Sequence, residues 1–171
     1  MFIVFAKKEQ DTSIESQIET IAKVKKFLKT NSIVKEICEQ YGMSLGDLDG
    51  VTISFERKLD VTAKTIDGKI FLNSSLMDEK FEIICRYVVH ELTHVFQHMK
   101  KEFSKDKNRR NKEYLDRPEE IEAFQNQIKF DAKVRTKKDA IEYVDALLEY
   151  HKIKNKKEKA EKRKLLLEKL K

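Results

Sequence analysis

The chain of 171 residues has no Trp, one Pro, four Gly and two Cys. So little Gly and Pro leaves few tight turns, which excludes collagen-like, low-complexity and turn-rich all-β designs. Cys38 and Cys85 lie far apart in sequence with no C-x-x-C spacing, which excludes a disulfide framework and a thiolate zinc site. Both are expected as small buried hydrophobes in a reducing compartment. No apolar run approaches the roughly 20 residues that span a bilayer, so no membrane association is expected. Only five apolar residues, Phe2 to Ala6, follow Met1, too few for a signal h-region. A cytoplasmic protein made without a secretory leader is expected.

What is present favours helix: Lys, Glu, Leu and Ile are abundant. Charged residues make up 39% of the chain, so much of each helix must face water. The net charge of +6 is unevenly spread. Residues 152–171 hold ten Lys or Arg against three Glu, a net +7, which leaves −1 for the other 151 residues. The expected organisation is one domain over residues 1–150 and a basic helical tail over 151–171.

Residues 2–6 read as a short strand. Ile14, Ile18, Ile21 and Leu28 recur at helical spacing behind Ser13, a suitable N-cap. Ile33, Val34, Ile37, Cys38 and Tyr41 mark a second helix that Gly42 can end, and 43–50 reads as loop. Val51–Phe55 and, more weakly, Val61–Ile66 alternate with period two. Asp67-Gly68 is a hairpin turn signal, and Lys69–Leu72 returns as a strand, giving a small antiparallel or mixed sheet. A long helix is expected from Asp78 to about Lys101, with Phe81, Cys85, Val88, Leu92, Val95, Phe96 and Met99 as its apolar stripe. Residues 102–113 read as loop. Pro118 suits the first turn of the next helix, which Ile121, Phe124, Ile128 and Val134 continue. Two further helices, near 136–150 and 153–171, complete an α+β reading.

Within the long helix, His90-Glu91-Leu92-Thr93-His94 reads H-E-x-x-H. Positions i and i+4 of a helix share one face, about 6 Å apart along the axis. Two imidazoles so placed can give nitrogens to one zinc ion at about 2.0–2.1 Å each. Glu91, next to the first His, flanks the pair. Its carboxylate can take a proton from a water beside the ion without ligating the ion, as a general base must.

A catalytic zinc takes three protein ligands and keeps one position open. His98 lies about 12 Å along the axis from His90, too far to share an ion. That leaves the carboxylates Glu119, Glu120 and Glu122. With Ile121 placed at 0° and ~100° per residue, the apolar centroid of the helix falls near 300°. On that wheel Glu120 falls near 260°, Glu119 near 160° and Glu122 near 100°. Glu120 therefore faces inward best and is the expected third ligand; Glu119 and Glu122 stay open as alternatives. Tyr87, Tyr114 and His98 are candidates to support a developing oxyanion.

These residues resemble a gluzincin, the H-E-x-x-H metallopeptidase class with a downstream Glu ligand. Val88–His98 resembles the active-site helix of small intracellular members. Pro118–Phe124 resembles the E-x-E-A segment that carries the third ligand, including that of ImmA/IrrE-like peptidases, and maps that ligand onto Glu120. Lys69–Asn73 resembles the edge strand on which such enzymes pair with an extended substrate. Small viral and phage-encoded peptidases share this compact, lysine-rich character. The chain departs from the thermolysin pattern four residues after the ligand Glu, where Phe124 replaces an Asp, so no carboxylate is assignable to orient a ligand. The resemblance implies a zincin-like fold, one catalytic zinc ion, and peptide or protein substrates cut with Glu91 as base.

Two other readings stand beside it. One is a catalytically inactive zincin-like module that binds metal or a partner. The other puts function in residues 152–171, which could bind nucleic acid or an acidic partner through their charge. No aromatic residue follows Tyr150, so base stacking is not supported. The simpler expectation for the tail is a solvated helix docked on the body through Leu165, Leu166, Leu167 and Leu170.

Overall fold

A computed structural model describes residues 13–100 and 113–170. The strand expected at residues 2–6, and all but the last residue of the loop expected at 102–113, lie outside them. The described residues form a mixed α+β fold, mostly helical, with one small sheet.

Helices α1 (Ile14–Lys29) and α2 (Ser32–Gln40) open the chain. Ser13 caps α1 by accepting from the Ser16 amide at 3.2 Å, and the Asn31 side chain caps α2. Gly42 ends α2 with a positive φ of 65°, which costs glycine little. Val24 and Leu28 of α1 are buried with Val34, Ile37 and Cys38 of α2. Ile14 and Ile18, expected on the buried face of α1, are 71% and 62% exposed. The inward face of that helix is set by Val24 and Leu28, one turn further on. Residues 45–50, expected as loop, tighten into a 3-10 turn.

Strands β1 (Ile53–Glu56), β2 (Ala63–Ile66) and β3 (Lys69–Asn73) form the sheet in the order β1-β3-β2. Asp67 and Gly68 both take positive φ, 49° and 73°, as a two-residue hairpin turn requires. The turn pairs β2 antiparallel to β3, with Ile66 opposite Lys69. β1 lies parallel to β3, with Ile53 opposite Ile70, so the sheet is mixed. Lys69–Asn73 was expected at the edge; it is the central strand. Its alternation buries Ile70 and Leu72 in the same way an edge strand would, so the pattern could not tell the two apart. Among the described residues, the free edge beside the long helix belongs to β2.

A 3-10 turn (Ser74–Asp78) precedes α3 (Phe81–Met99), which starts three residues later than expected. The helix is buried on almost every side, from Ile84 to Gln97, and only its last turn emerges, with Met99 57% exposed. Its apolar side closes the main core with α1, α2, the sheet and Phe130. A 3-10 turn (Tyr114–Asp116) leads into α4 (Pro118–Val134), where Pro118 occupies the first turn. α4 packs along α3, and the buried pair Arg86–Asp131 at 3.5 Å ties the two helices.

Helices α5 (Lys137–Tyr150) and α6 (Lys156–Leu166) and a final 3-10 turn (Glu168–Leu170) cover the far side of α4. They share a second core of Phe124, Ile128, Ala140, Val144, Leu148 and Leu166. The basic tail is docked: Gln125 Nε2 donates to the Leu165 carbonyl at 2.8 Å, and Lys169 Nζ to Asn126 Oδ1 at 3.1 Å. Leu166 is buried and Leu167 and Leu170 pack beside it, whereas Leu165, expected to dock as well, is exposed. Lys159 pairs with Glu149, Lys162 with Asp116 and Arg163 with Asp145, so part of the tail's charge is met by acids of the body. Among the described residues no helix is long and apolar enough to cross a membrane.

Candidate metal centre

Three residues expected as ligands meet between α3 and α4. His90 and His94 project from successive turns of α3, and Glu120 from the first turn of α4. Their facing atoms make a triangle. His90 Nε2 lies 3.2 Å from His94 Nε2, and Glu120 Oε2 lies 3.2 Å from His94 Nε2 and 3.5 Å from His90 Nε2. A tetrahedral zinc ion with ligands at 2.0–2.1 Å needs ligand–ligand separations of about 3.3–3.4 Å. The triangle has that size without adjustment. Two nitrogens and a carboxylate oxygen, all capable of donating electron pairs, converge on one point, a donor set that fits zinc.

Neither alternative carboxylate joins the triangle. Glu119 is buried one residue before Glu120, on another side of the helix. Glu122 Oε2 accepts from Gln97 Nε2 at 2.9 Å, and its other oxygen from Gln40.

That contact of Glu122 matters to His94. Gln97 Nε2 also reaches the Glu119 carbonyl oxygen at 3.1 Å. Two acceptors facing one end of the amide fix that end as nitrogen, so Gln97 Oε1 must face His94. His94 Nδ1 lies 2.8 Å from this oxygen and therefore carries the proton. Nε2, which points at the triangle, is therefore the nitrogen left to meet a cation, whether a proton or a metal ion. Gln97 thus holds the tautomer a metal ligand needs. It sits at i+3 from His94, the one clue in the sequence, but a neutral amide carries no motif that marks such a role.

His90 is held differently. Its Nδ1 is buried with no hydrogen-bond partner among the described residues. The Phe124 ring packs against the imidazole edge-on, with centroids 4.5 Å apart. Phe124 therefore gives His90 an apolar wall.

The electrostatics suit a cation. Burial disfavours an imidazolium at His94, but the Glu120 hydrogen bond and charge outweigh it and raise its pKa to about 9. Burial likewise disfavours a charged Glu120, yet His90 and then His94 hold its carboxyl well below the usual range. A divalent ion at the centre would take the place of that proton, so its uptake should release one.

Glu91 lies beside the triangle and not in it. Thr65 Oγ1, on β2, donates to Glu91 Oε2 at 2.8 Å and also lies 3.1 Å from the Glu91 carbonyl oxygen. The edge strand thus orients the carboxylate. Tyr114 donates to Glu120, and burial followed by the charge of Glu120 pushes its phenol far above the usual range, so it remains a donor. Its ring stacks on His151 at 5.4 Å and 11°. Of the other oxyanion candidates, Tyr87 lines a cavity of about 830 Å³ that His90 and Glu91 also border. His98 lines a smaller one of about 370 Å³, bordered also by Glu91, His94 and Glu120. Tyr114 borders both.

No protein-family model matches this chain, and neither does any curated protein or solved structure.

Proposed function

We propose that the protein is a zinc-dependent peptidase with a zincin-like arrangement of sheet edge, H-E-x-x-H helix and third-ligand helix. The observation that carries this reading is the triangle of His90 Nε2, His94 Nε2 and Glu120 Oε2, with sides of 3.2, 3.2 and 3.5 Å and a non-ligating Glu91 beside it. A metal centre that is only structural has no need of an oriented carboxylate beside its ligands, nor of open space bordering them.

His90, His94 and Glu120 would hold the ion, which when bound supplies Lewis acidity and lowers the pKa of a water toward 7. Thr65 fixes the Glu91 carboxylate, which takes the proton of the attacking water and passes it to the departing amine. Tyr114, whose single O–H donates to Glu120, holds that carboxylate in place beside the histidines. α3, α4 and the second core hold these groups on rigid elements.

Zinc content and hydrolysis of a broad peptide library, measured together, test the reading. Wild type should bind one zinc ion. His94→Ala and Glu120→Ala should lose it. Glu91→Gln should keep the ion and lose cleavage. Full proteolysis by Glu91→Gln would overturn the mechanism, and a zinc-loaded wild type that cuts no peptide would leave a metal-binding module without this activity.

A further inference from the structure

The basic tail divides into cations that the body uses and cations that it does not. Lys159, Lys162 and Arg163 meet Glu149, Asp116 and Asp145, and Lys169 meets Asn126. Lys152, Lys154, Lys156 and Lys157 are exposed and meet no acid among the described residues. These four fall within six consecutive residues, at the turn between α5 and α6. The charge left over is therefore gathered at one corner of the molecule.

Folding stability does not explain their placement. Lys156 and Lys157 occupy the first turn of α6, where the helix macrodipole is positive and repels a cation. One acid, Glu158, shares that turn, and it faces Lys162 at 3.8 Å. Lys152 takes a positive φ of 54°, a backbone state that glycine reaches at less cost. Four like charges so close in the chain also repel one another. An anion among them would offset that repulsion and complement the helix end.

The kind of anion follows from the side chains on offer. Arginine forks onto the two oxygens of a carboxylate, and the tail's one Arg, Arg163, already does so on Asp145 at 2.7 and 3.2 Å. The four free cations are all lysines, point charges that meet a phosphate from any direction. Beside them stands a ring: Tyr150 is 80% exposed. His151 braces it edge-on at 5.3 Å and is itself stacked on Tyr114 at 5.4 Å. A flat ring so held, next to a group of cations, is what a nucleic-acid base and its phosphates require. A base can stack on it only after leaving its own helix, so the strand is single. Tyr150 and His151 also line the larger cavity, so a strand on this ring lies at the cavity's rim.

We propose that the α5–α6 corner binds single-stranded nucleic acid, with Lys152, Lys154, Lys156 and Lys157 on phosphates and Tyr150 stacked on a base. This site is independent of the metal centre and of the peptidase reading.

Anisotropy of a fluorescein-labelled oligo(deoxythymidine), titrated with the full-length protein at several salt concentrations, tests it. Four phosphate contacts give a log–log salt slope of about −2.8, so affinity should fall about 50-fold between ~50 and ~200 mM salt. Lys152→Gln, Lys154→Gln, Lys156→Gln and Lys157→Gln combined should remove most of that slope. The same change at Lys23, Lys26, Lys35 and Lys138, exposed lysines of α1, α2 and α5, should leave it. Tyr150→Ala should weaken binding about 5- to 150-fold at fixed salt and keep the slope. Duplex DNA and polyglutamate of equal charge should compete poorly. Melting temperatures of the variants should match wild type, which separates lost binding from lost folding. A wild type that does not bind at the lowest salt would overturn the proposal, as would equal losses in the two lysine variants, the sign of net charge alone. Polyglutamate that competes as well as the oligonucleotide would replace it with an acidic protein partner. Unchanged binding by Tyr150→Ala, or a duplex that binds as tightly, would take the base off the ring and sink it too.

Discussion

Gln97→Leu isolates the orienting bond at His94. The side chain is 2% exposed, and Leu nearly conserves its volume, so packing should survive. Three contacts disappear: the acceptor for His94 Nδ1 at 2.8 Å, and the donors to the Glu119 carbonyl at 3.1 Å and Glu122 at 2.9 Å. Without its acceptor the imidazole can turn and change tautomer. Loss of such a partner typically lowers metal affinity about 10- to 100-fold, or about 1.4–2.7 kcal/mol. Loss of the donor to the Glu122 carboxylate adds about 1.5–3 kcal/mol to the cost in folding stability. Zinc affinity measured against a competing chelator reads the first effect, and the melting temperature of zinc-free protein reads the second. Gln97→Glu separates them further. It keeps an acceptor for His94 but sets one carboxylate against another across the 2.9 Å contact with Glu122, so stability should fall while zinc affinity largely returns. A folded Gln97→Leu protein with wild-type zinc affinity would falsify the role assigned to Gln97.

Thr65→Val removes the donor that fixes Glu91; a hydrogen bond to a charged group contributes about 1.5–3 kcal/mol, so kcat should fall about 10- to 100-fold with zinc content unchanged. An unchanged kcat would mean that Glu91 is held by other contacts. Burial first, then nearby acids, push the Cys38 thiol up to about 11 and that of Cys85 up to about 12, so neither should react with iodoacetamide at pH 8 until the protein unfolds. Rapid alkylation of the native protein would contradict that burial. Leu166→Ala should cost about 2–5 kcal/mol by opening the second core, measured by urea denaturation; a loss below about 1 kcal/mol would mean that the tail docks weakly.

Local chemistry was legible in the sequence where one residue decides a backbone angle or a helix face. Ser13, Gly42, Asp67-Gly68 and Pro118 each mark a helix end or turn that the structure places there. The helical wheel put Glu120 inward, and it is Glu120 that meets the two histidines. What failed depended on partners far away in sequence. Strand order is set by which edge meets α3, and β1, β2 and β3 carry similar alternation, so the central position of Lys69–Asn73 left no local trace. Ile14 and Ile18 obey the helical period yet point outward, because periodicity marks a stripe and not what covers it. Gln97 was hidden for another reason: its role comes from the direction of an amide, which depends on Glu119 and Glu122 of the next helix.

The two histidines are therefore constrained by different physics, and the site should tolerate change unequally. His94 depends on a directional bond, and that bond depends on a second one that fixes the Gln97 amide. No other neutral side chain of that length offers an acceptor to His94 and a donor to Glu122 together. His90 depends on the edge-on ring of Phe124, a contact that needs bulk and not direction. Tyr or Leu at position 124 should keep His90 in place, whereas Ala should free it and open a cavity in the second core. The weaker constraint lies on the side of the larger cavity, which Phe124 also lines. One residue thus sets both the rotation of a ligand and the shape of the space beside it, so changes at position 124 should alter metal affinity and the fit of a molecule in that cavity together. Changes at Gln97 should alter the first alone.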